Sequence, residues 1–220
     1  MVEWHSLGRF NGNRSLIINL TMIYGTHNSA TGGSLVWWLR PFGWIINATS
    51  KCQTKSIAEQ LEDGVRLFNL QVTKYNGEWV FSHGTAIYKE ELIPTLALMK
   101  LYATDESPIY YQLYLDDNLI LGQPEEDFYE LVADLHNKFE NVIMLTAWVE
   151  GYGTCFYKNK VNIKWEEHYW TLSWAKQFRK SLLDWLPLPK RHAKKYNENY
   201  KKNCKADYLM LDFYEIPNNN

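Results

Sequence analysis

Apolar residues fall into short runs of strand length, separated by stretches with helical period. The run 16–24, rich in Ile and Leu and ended by Gly25, predicts a buried strand that delivers Thr26, His27 and Asn28 into a loop. Thr54 or Ser56 can cap a short helix carrying Ile57, Leu61 and Val65 at i, i+4 and i+8, with Gly64 at its end. Runs 65–73 and 79–82 predict a second and a third strand. They are joined through Asn76 and Gly77, a pair that tolerates the positive φ angles of a tight hairpin. His83 and Gly84 then sit at the carboxyl end of the third strand.

The rhythm continues along the chain. Segment 88–102 predicts a helix interrupted at Pro94, and 108–115 a strand of alternating aromatic and aliphatic residues. Segment 124–139 predicts a helix with Pro at its start and Phe128, Leu131, Val132 and Leu135 on one face. Strand 141–149, a short strand over 161–165, an amphipathic helix over 171–185 and a basic helix over 190–203 follow. The last apolar strand, 208–213, is interrupted by Asp212, and the Asn-rich tail 217–220 is expected to fray. Alternating strands and helices favour an α/β fold with a parallel sheet, as one domain spanning 1–220. A doubly wound sheet and a small irregular (β/α) barrel both fit, and both place sites beyond the carboxyl ends of strands. His27, His83 and Asp212 all fall there.

Composition narrows the function classes. In 220 residues, 23 Lys+Arg against 25 Asp+Glu leave a formal charge of -2, so no strong field draws the chain to nucleic acid. Cys52, Cys155 and Cys204 are too widely spaced for a disulfide framework or a zinc knuckle and read as reduced, buried thiols. Glu3 stands where a secretory leader carries Lys or Arg, and no long apolar segment follows, so a cytoplasmic setting is expected, with a mature secreted domain as the alternative. The sequons at Asn13, Asn19 and Asn47 matter only in a secretory compartment. The large rings Trp37, Trp38, Phe42 and Trp44 are expected to be buried, with a lipid-dipping rim as the alternative. Glu166, Glu167, His168 and Trp170 read as a solvated cap before a helix, and Lys190, Arg191, His192, Lys194 and Lys195 as an exposed helix face.

Two histidines at strand ends are suited to proton transfer near neutral pH, one as base and the other as acid. The text around them is specific. Residues 23–31 read Ile-Tyr-Gly-Thr-His-Asn-Ser-Ala-Thr; Cys52-Gln53 precedes Ser56-Ile57-Ala58-Glu59-Gln60-Leu61 and then Gly64-Val65-Arg66-Leu67-Phe68-Asn69-Leu70. Asn76-Gly77-Glu78 leads to Phe81-Ser82-His83-Gly84. In this order and spacing, the segments resemble the catalytic X domain of phosphatidylinositol-specific phospholipases C. Leu209-Met210-Leu211-Asp212-Phe213 is similar to that family's last barrel strand.

The resemblance implies a distorted TIM-type barrel that cleaves an inositol phospholipid or a related phosphodiester, with attack by a neighbouring hydroxyl. It implies His27 as general base, His83 as general acid, Asp212 as the partner that orients His27, and Asn28 as a partner for His83. The sequence departs from the family at the second strand. Eukaryotic members place an acidic pair there to hold calcium, and bacterial members place an arginine at its second position. Here the residues are Asn69 and Gln71. Amide oxygens hold calcium weakly, so no resident metal is expected, with a weak calcium contact through Asn28 and Asp116 as the alternative. Arg66, Lys74, Arg40 and Tyr114 are further candidates to meet the substrate. Partners expected from the resemblance are a phospholipid or inositol phosphate and a membrane surface met peripherally, with the protein a monomer and nucleic acid excluded. The alternative function is a barrel of low or no turnover that binds a phosphorylated headgroup.

Overall fold

The computed structural model describes residues 23–118, 120–122, 124–136, 138–149, 154–168 and 189–215. The expected helix 171–185, most of the run 16–24, Trp170, Asn13, Asn19 and the tail lie outside them.

Nine strands form one sheet among the described residues: β1 (Ile23–Thr26), β2 (Leu67–Tyr75), β3 (Glu78–His83), β4 (Ala86–Glu91), β5 (Ile109–Leu115), β6 (Val142–Val149), β7 (Thr154–Lys158), β8 (Trp165–His168) and β9 (Tyr208–Leu211). Their order is β7-β6-β5-β2-β1-β9-β8, and every pairing from β6 to β8 is parallel. Helices α1 (Gly43–Ser50), α2 (Ile57–Glu62), α3 (Leu92–Tyr102), α4 (Glu125–Leu135) and α5 (Pro189–Asn203) run between them, giving a curled α/β half-barrel of the TIM type.

Side chains alternate across each strand, so the sheet separates two kinds of interior. On its helix-covered face, Phe68 and Leu70 of β2 and Leu113 of β5 join Leu61, Leu96 and Phe128 from the helices in one apolar cluster. On the other face, Leu67, Tyr110, Leu145, Tyr208 and Met210 form a second cluster, with Trp165 and Ile143 against it. This apolar plug fills the amino-terminal half of the concave face. Beyond it the same rows of β2 and β5 turn polar, with Asn69 paired to Gln112 and Gln71 to Tyr114.

The helix expected over 88–102 is two elements. Residues from Ala86 to Glu91 pair with β3 in a hairpin whose register includes His83 opposite Ala86, and only Leu92 onward is helical. Pro94 stands in the first helical turn, where no N–H partner is lost, so it begins the helix and does not interrupt it. Helix α2 starts at Ser56, not Thr54. Ser56 and Glu59 form a reciprocal capping box, and Val65 lies past the helix end. The short strand expected over 161–165 is Trp165–His168, so Glu166, Glu167 and His168 belong to a parallel strand and not to a helix cap. Cys52 is buried, whereas Cys155 and Cys204 are half-buried; all are free thiols. Trp37, Phe42 and Trp44 are 75%, 59% and 76% exposed, which overturns the expectation of burial; Trp38 is half-buried and donates to the Tyr75 hydroxyl.

Candidate active site

Parallel pairing of β1 with β9 ends with Thr26 opposite Leu211, so the next residues, His27 and Asp212, leave the sheet side by side. The His27 N–H donates to the Leu211 carbonyl at 3.1 Å and extends the ladder by one bond. Gly25 is needed just before, because a Cβ there would lie 3.0 Å from the Leu67 Cβ on β2. The His27 Nδ1 to Asp212 Oδ1 distance is 2.8 Å, with the Asp212 side chain 1% and the His27 side chain 11% exposed. Gln53 clamps the pair from behind: its Nε2 donates to the carbonyls of both His27 (2.8 Å) and Leu211 (2.9 Å).

His83 reaches the same place by a different route. β2 continues past its last partner on β5, pairs antiparallel with β3 and turns at Asn76 (φ 53) and Gly77 (φ 88). The returning strand carries His83 back toward the ends of the parallel strands. Asn28 meets it there. It adopts the left-handed conformation (φ 46, ψ 53), which Asn tolerates better than other non-glycine residues. Its N–H donates to Asn69 Oδ1 (3.1 Å), and its Nδ2 lies 3.0 Å from His83 Nε2. His83 Nδ1 lies 2.7 Å from the Ser50 carbonyl, at the end of α1. The Ser50 carbonyl only accepts, so His83 Nδ1 carries a proton in this arrangement.

The floor of the site is a polar relay. Asn69 Nδ2 donates to Gln112 Oε1 (3.2 Å), Gln112 Nε2 to Glu167 Oε1 (2.6 Å), and Trp165 Nε1 to the same carboxylate oxygen (2.8 Å). Asp116 Oδ1 accepts the Gly84 N–H (3.3 Å), and Asn118 Nδ2 donates to the Gly84 carbonyl (2.8 Å), which ties the turn after His83 to the end of β5. Cys52 stands between the two halves. Asn28 Nδ2 is 3.6 Å from its sulfur, while burial, and after it the Asp212 carboxylate, push its thiol pKa well up.

The structure thus brings His27, Asn28, His83, Asp212 and Asn69 together. Gln71 and Tyr114 line the same face one step further out; the Gln71 Oε1 is buried with no hydrogen-bond partner among the described residues, and Tyr114 stacks on Trp148. Other candidates stand apart. Arg66 is held at the amino end of β2 by Ser107 and the carbonyls of Leu61 and Val65. Lys74 pairs with Asp127 at 2.6 Å, and exposed Arg40 donates to the Leu35 carbonyl. Glu166 and His168 point away from the concave face, with His168 stacked on Tyr200 of α5 at 4.1 Å. Sequence reasoning missed the roles of Cys52, Gln53, Gln112 and Glu167, and of Asn197, whose Nδ2 donates to the Asp212 carbonyl. Gln112 was signalled by alternation, since it shares a face with Tyr110 and Tyr114.

The fold is similar to that of solved phosphatidylinositol-specific phospholipases C. A variant of that enzyme from Staphylococcus aureus superposes with a TM-score of 0.55 at 17% identity, covering 88% of this chain and 86% of its own. A second variant gives 0.55 at 16% identity over 89% and 87%. A structure of the same enzyme concerned with modulation of its membrane binding gives 0.53 at 17% over 88% and 87%. No protein-family model and no curated protein sequence matches the chain.

Proposed function

We propose that the protein is a phosphodiesterase of the phospholipase C type, acting on an inositol phospholipid or an inositol phosphate diester. The observation that carries this reading is the convergence of two differently partnered imidazoles, His27 on Asp212 and His83 on Asn28, at one end of a half-barrel. In the reaction, His27 takes the proton of a hydroxyl next to the phosphate, and that oxygen attacks phosphorus. The bond to the leaving oxygen breaks as His83, in its protonated form, returns a proton to it. Asp212 stabilises the imidazolium formed on His27. A peripheral membrane encounter belongs to this reading, because the exposed Trp44 opens α1, the helix whose last carbonyl holds His83.

Tight calcium binding is not part of this reading. The strand positions offer only the amides of Asn69 and Gln71, the Asn69 oxygen already accepts the Asn28 N–H, and Asp116 holds the Gly84 N–H. Arg66, Lys74 and Arg40 are engaged elsewhere, and both His83 nitrogens are held by protein. These observations favour a second reading, a headgroup-binding barrel of low turnover.

Cleavage of phosphatidylinositol and of an aryl inositol phosphodiester by wild type, His27→Ala and His83→Ala, each with and without a calcium chelator, separates the readings. Each substitution is expected to lower turnover about 10²–10⁴-fold, and the acidic aryl leaving group is expected to rescue only His83→Ala. Chelator is expected not to lower the rate. Absence of cleavage by wild type at any calcium concentration selects the binding reading, and equal rescue of both variants refutes the division of roles.

A further inference from the structure

Beside His27 and Asp212, which the proposed reaction uses, the site holds Cys52, which it does not. A ring nitrogen of His27, the sulfur of Cys52 and a carboxylate oxygen of Asp212 all lie within 4.8 Å of one another. We propose that these three residues bind a thiophilic divalent cation of the zinc class, and that this ion and the base function of His27 exclude each other.

The chemistry of the donors selects the ion. One nitrogen, one sulfur and one carboxylate oxygen make a borderline-soft set that suits zinc and disfavours calcium or magnesium, which take oxygen cages. With bond lengths of about 2.0–2.3 Å, a tetrahedral zinc ion separates its ligand atoms by about 3.3–3.8 Å. The Nδ1 to Oδ1 distance of 2.8 Å must open slightly.

The backbones carrying the donors are fixed. The Cys52 N–H donates to Thr31 Oγ1 (2.9 Å), and its carbonyl accepts from the Phe213 N–H (2.7 Å). The Asp212 carbonyl accepts from Asn197 Nδ2 (2.8 Å), and the Gln53 amide fixes the His27 carbonyl. Asn28 Nδ2 is aimed at the sulfur from 3.6 Å, the kind of outer partner that supports a metal-bound thiolate. The His27 side chain, the most accessible of the three, leaves the way in, and the fourth ligand position is open to water or a phosphate oxygen.

Binding replaces the Cys52 S–H bond with a metal–sulfur bond and releases the proton to solvent. Its effect on His27 follows from tautomerism. Ligation through Nδ1 leaves the remaining ring proton on Nε2, which then donates and no longer accepts; ligation through Nε2 blocks that nitrogen outright. This exclusion rests on the phosphodiesterase reading. The binding site does not.

Cobalt(II) added to the full chain reports the site directly, through thiolate-to-cobalt absorption, and calorimetry with zinc gives the stoichiometry. One ion per chain with a thiolate band is expected for wild type. Cys52→Ser should lose the band and bind zinc at least about tenfold more weakly, and Asp212→Asn should weaken binding while the thiol remains. Circular dichroism of both variants establishes that they are folded. No band in wild type, or an unchanged band in Cys52→Ser, which would place the ion on Cys155 or Cys204, overturns the proposal. In the activity arm, zinc should inhibit phosphodiester cleavage by wild type and leave Cys52→Ser insensitive, whatever its own rate. If wild type cleaves nothing, the cobalt band still decides the site. If the band is present but cleavage persists at saturating zinc, the exclusion fails while the phosphodiesterase reading stands.

Discussion

Asn28 decides the electrostatics of His83. A carboxylate in its place would favour the imidazolium, whereas the amide accepts or donates with no charge to offer. Asn28 is only 2% exposed, so water does little to screen that difference. Asn28→Asp is therefore expected to raise the pH at which the His83 ring titrates, read by NMR of its ring nitrogens. An unchanged titration would mean that the Ser50 carbonyl and not residue 28 controls the ring. At this scale the sequence was informative wherever a residue sits next to a strand end: His27, His83, Asn28 and Asp212 were all legible. Cys52 and Gln53 were legible only as letters of a motif, because their roles depend on a loop that folds back over β1 and β9. Glu167 was misread as a cap residue since its partner Gln112 lies 55 positions away, and no local pattern encodes that contact.

Among the elements, α2 was the most legible because its cap, its apolar spacing and its terminating Gly64 are all local. The same helix supplies an electrostatic test. The ammonium of Lys55, and after it the Tyr214 hydroxyl, hold the Asp63 carboxyl below its ordinary value of 3.8. A depressed folded-state pKa contributes stability that is present at neutral pH and is lost as pH falls through that lowered value. Asp63→Asn is accordingly expected to melt a few degrees lower at most at pH 7, as suits a partly exposed pair, with the gap closing below about pH 3.8. Melting curves of both proteins between pH 7 and 3 test this, and a gap that widens in acid contradicts it. The elements misjudged from sequence share one cause. The segment from Ala86 to Glu91 is a strand because β3 supplies a partner, and β8 is a strand because β9 does. Neither carries the period of its final state, so tertiary pairing overrides local propensity.

For the molecule as a whole, the decisive surface is the one the composition misled about. So many large rings suggest burial, yet Trp37, Phe42, Trp44 and Ile45 project from one short stretch, and exposing them in water is costly. Their place gives that cost a use. Helix α1 has eight residues, so the rings at its start lie on the order of 10 Å from the Ser50 carbonyl that holds His83. A bilayer that accepted the rings would bring headgroups to the histidines, and the near-neutral charge of -2 leaves apolar insertion as the main attraction. Wild type is therefore expected to sediment with neutral phosphatidylcholine vesicles. The double substitution Trp37→Ala with Trp44→Ala is expected to lower the partition coefficient about tenfold or more, since each ring buried is worth more than about 1 kcal/mol. Cleavage of a soluble inositol phosphodiester should be unaffected by that change, because Trp37 and Trp44 are 75% and 76% exposed and face water. Equal sedimentation of both proteins would remove the membrane-facing role of α1, and a parallel loss of soluble-substrate cleavage would mean that the rings shape the site.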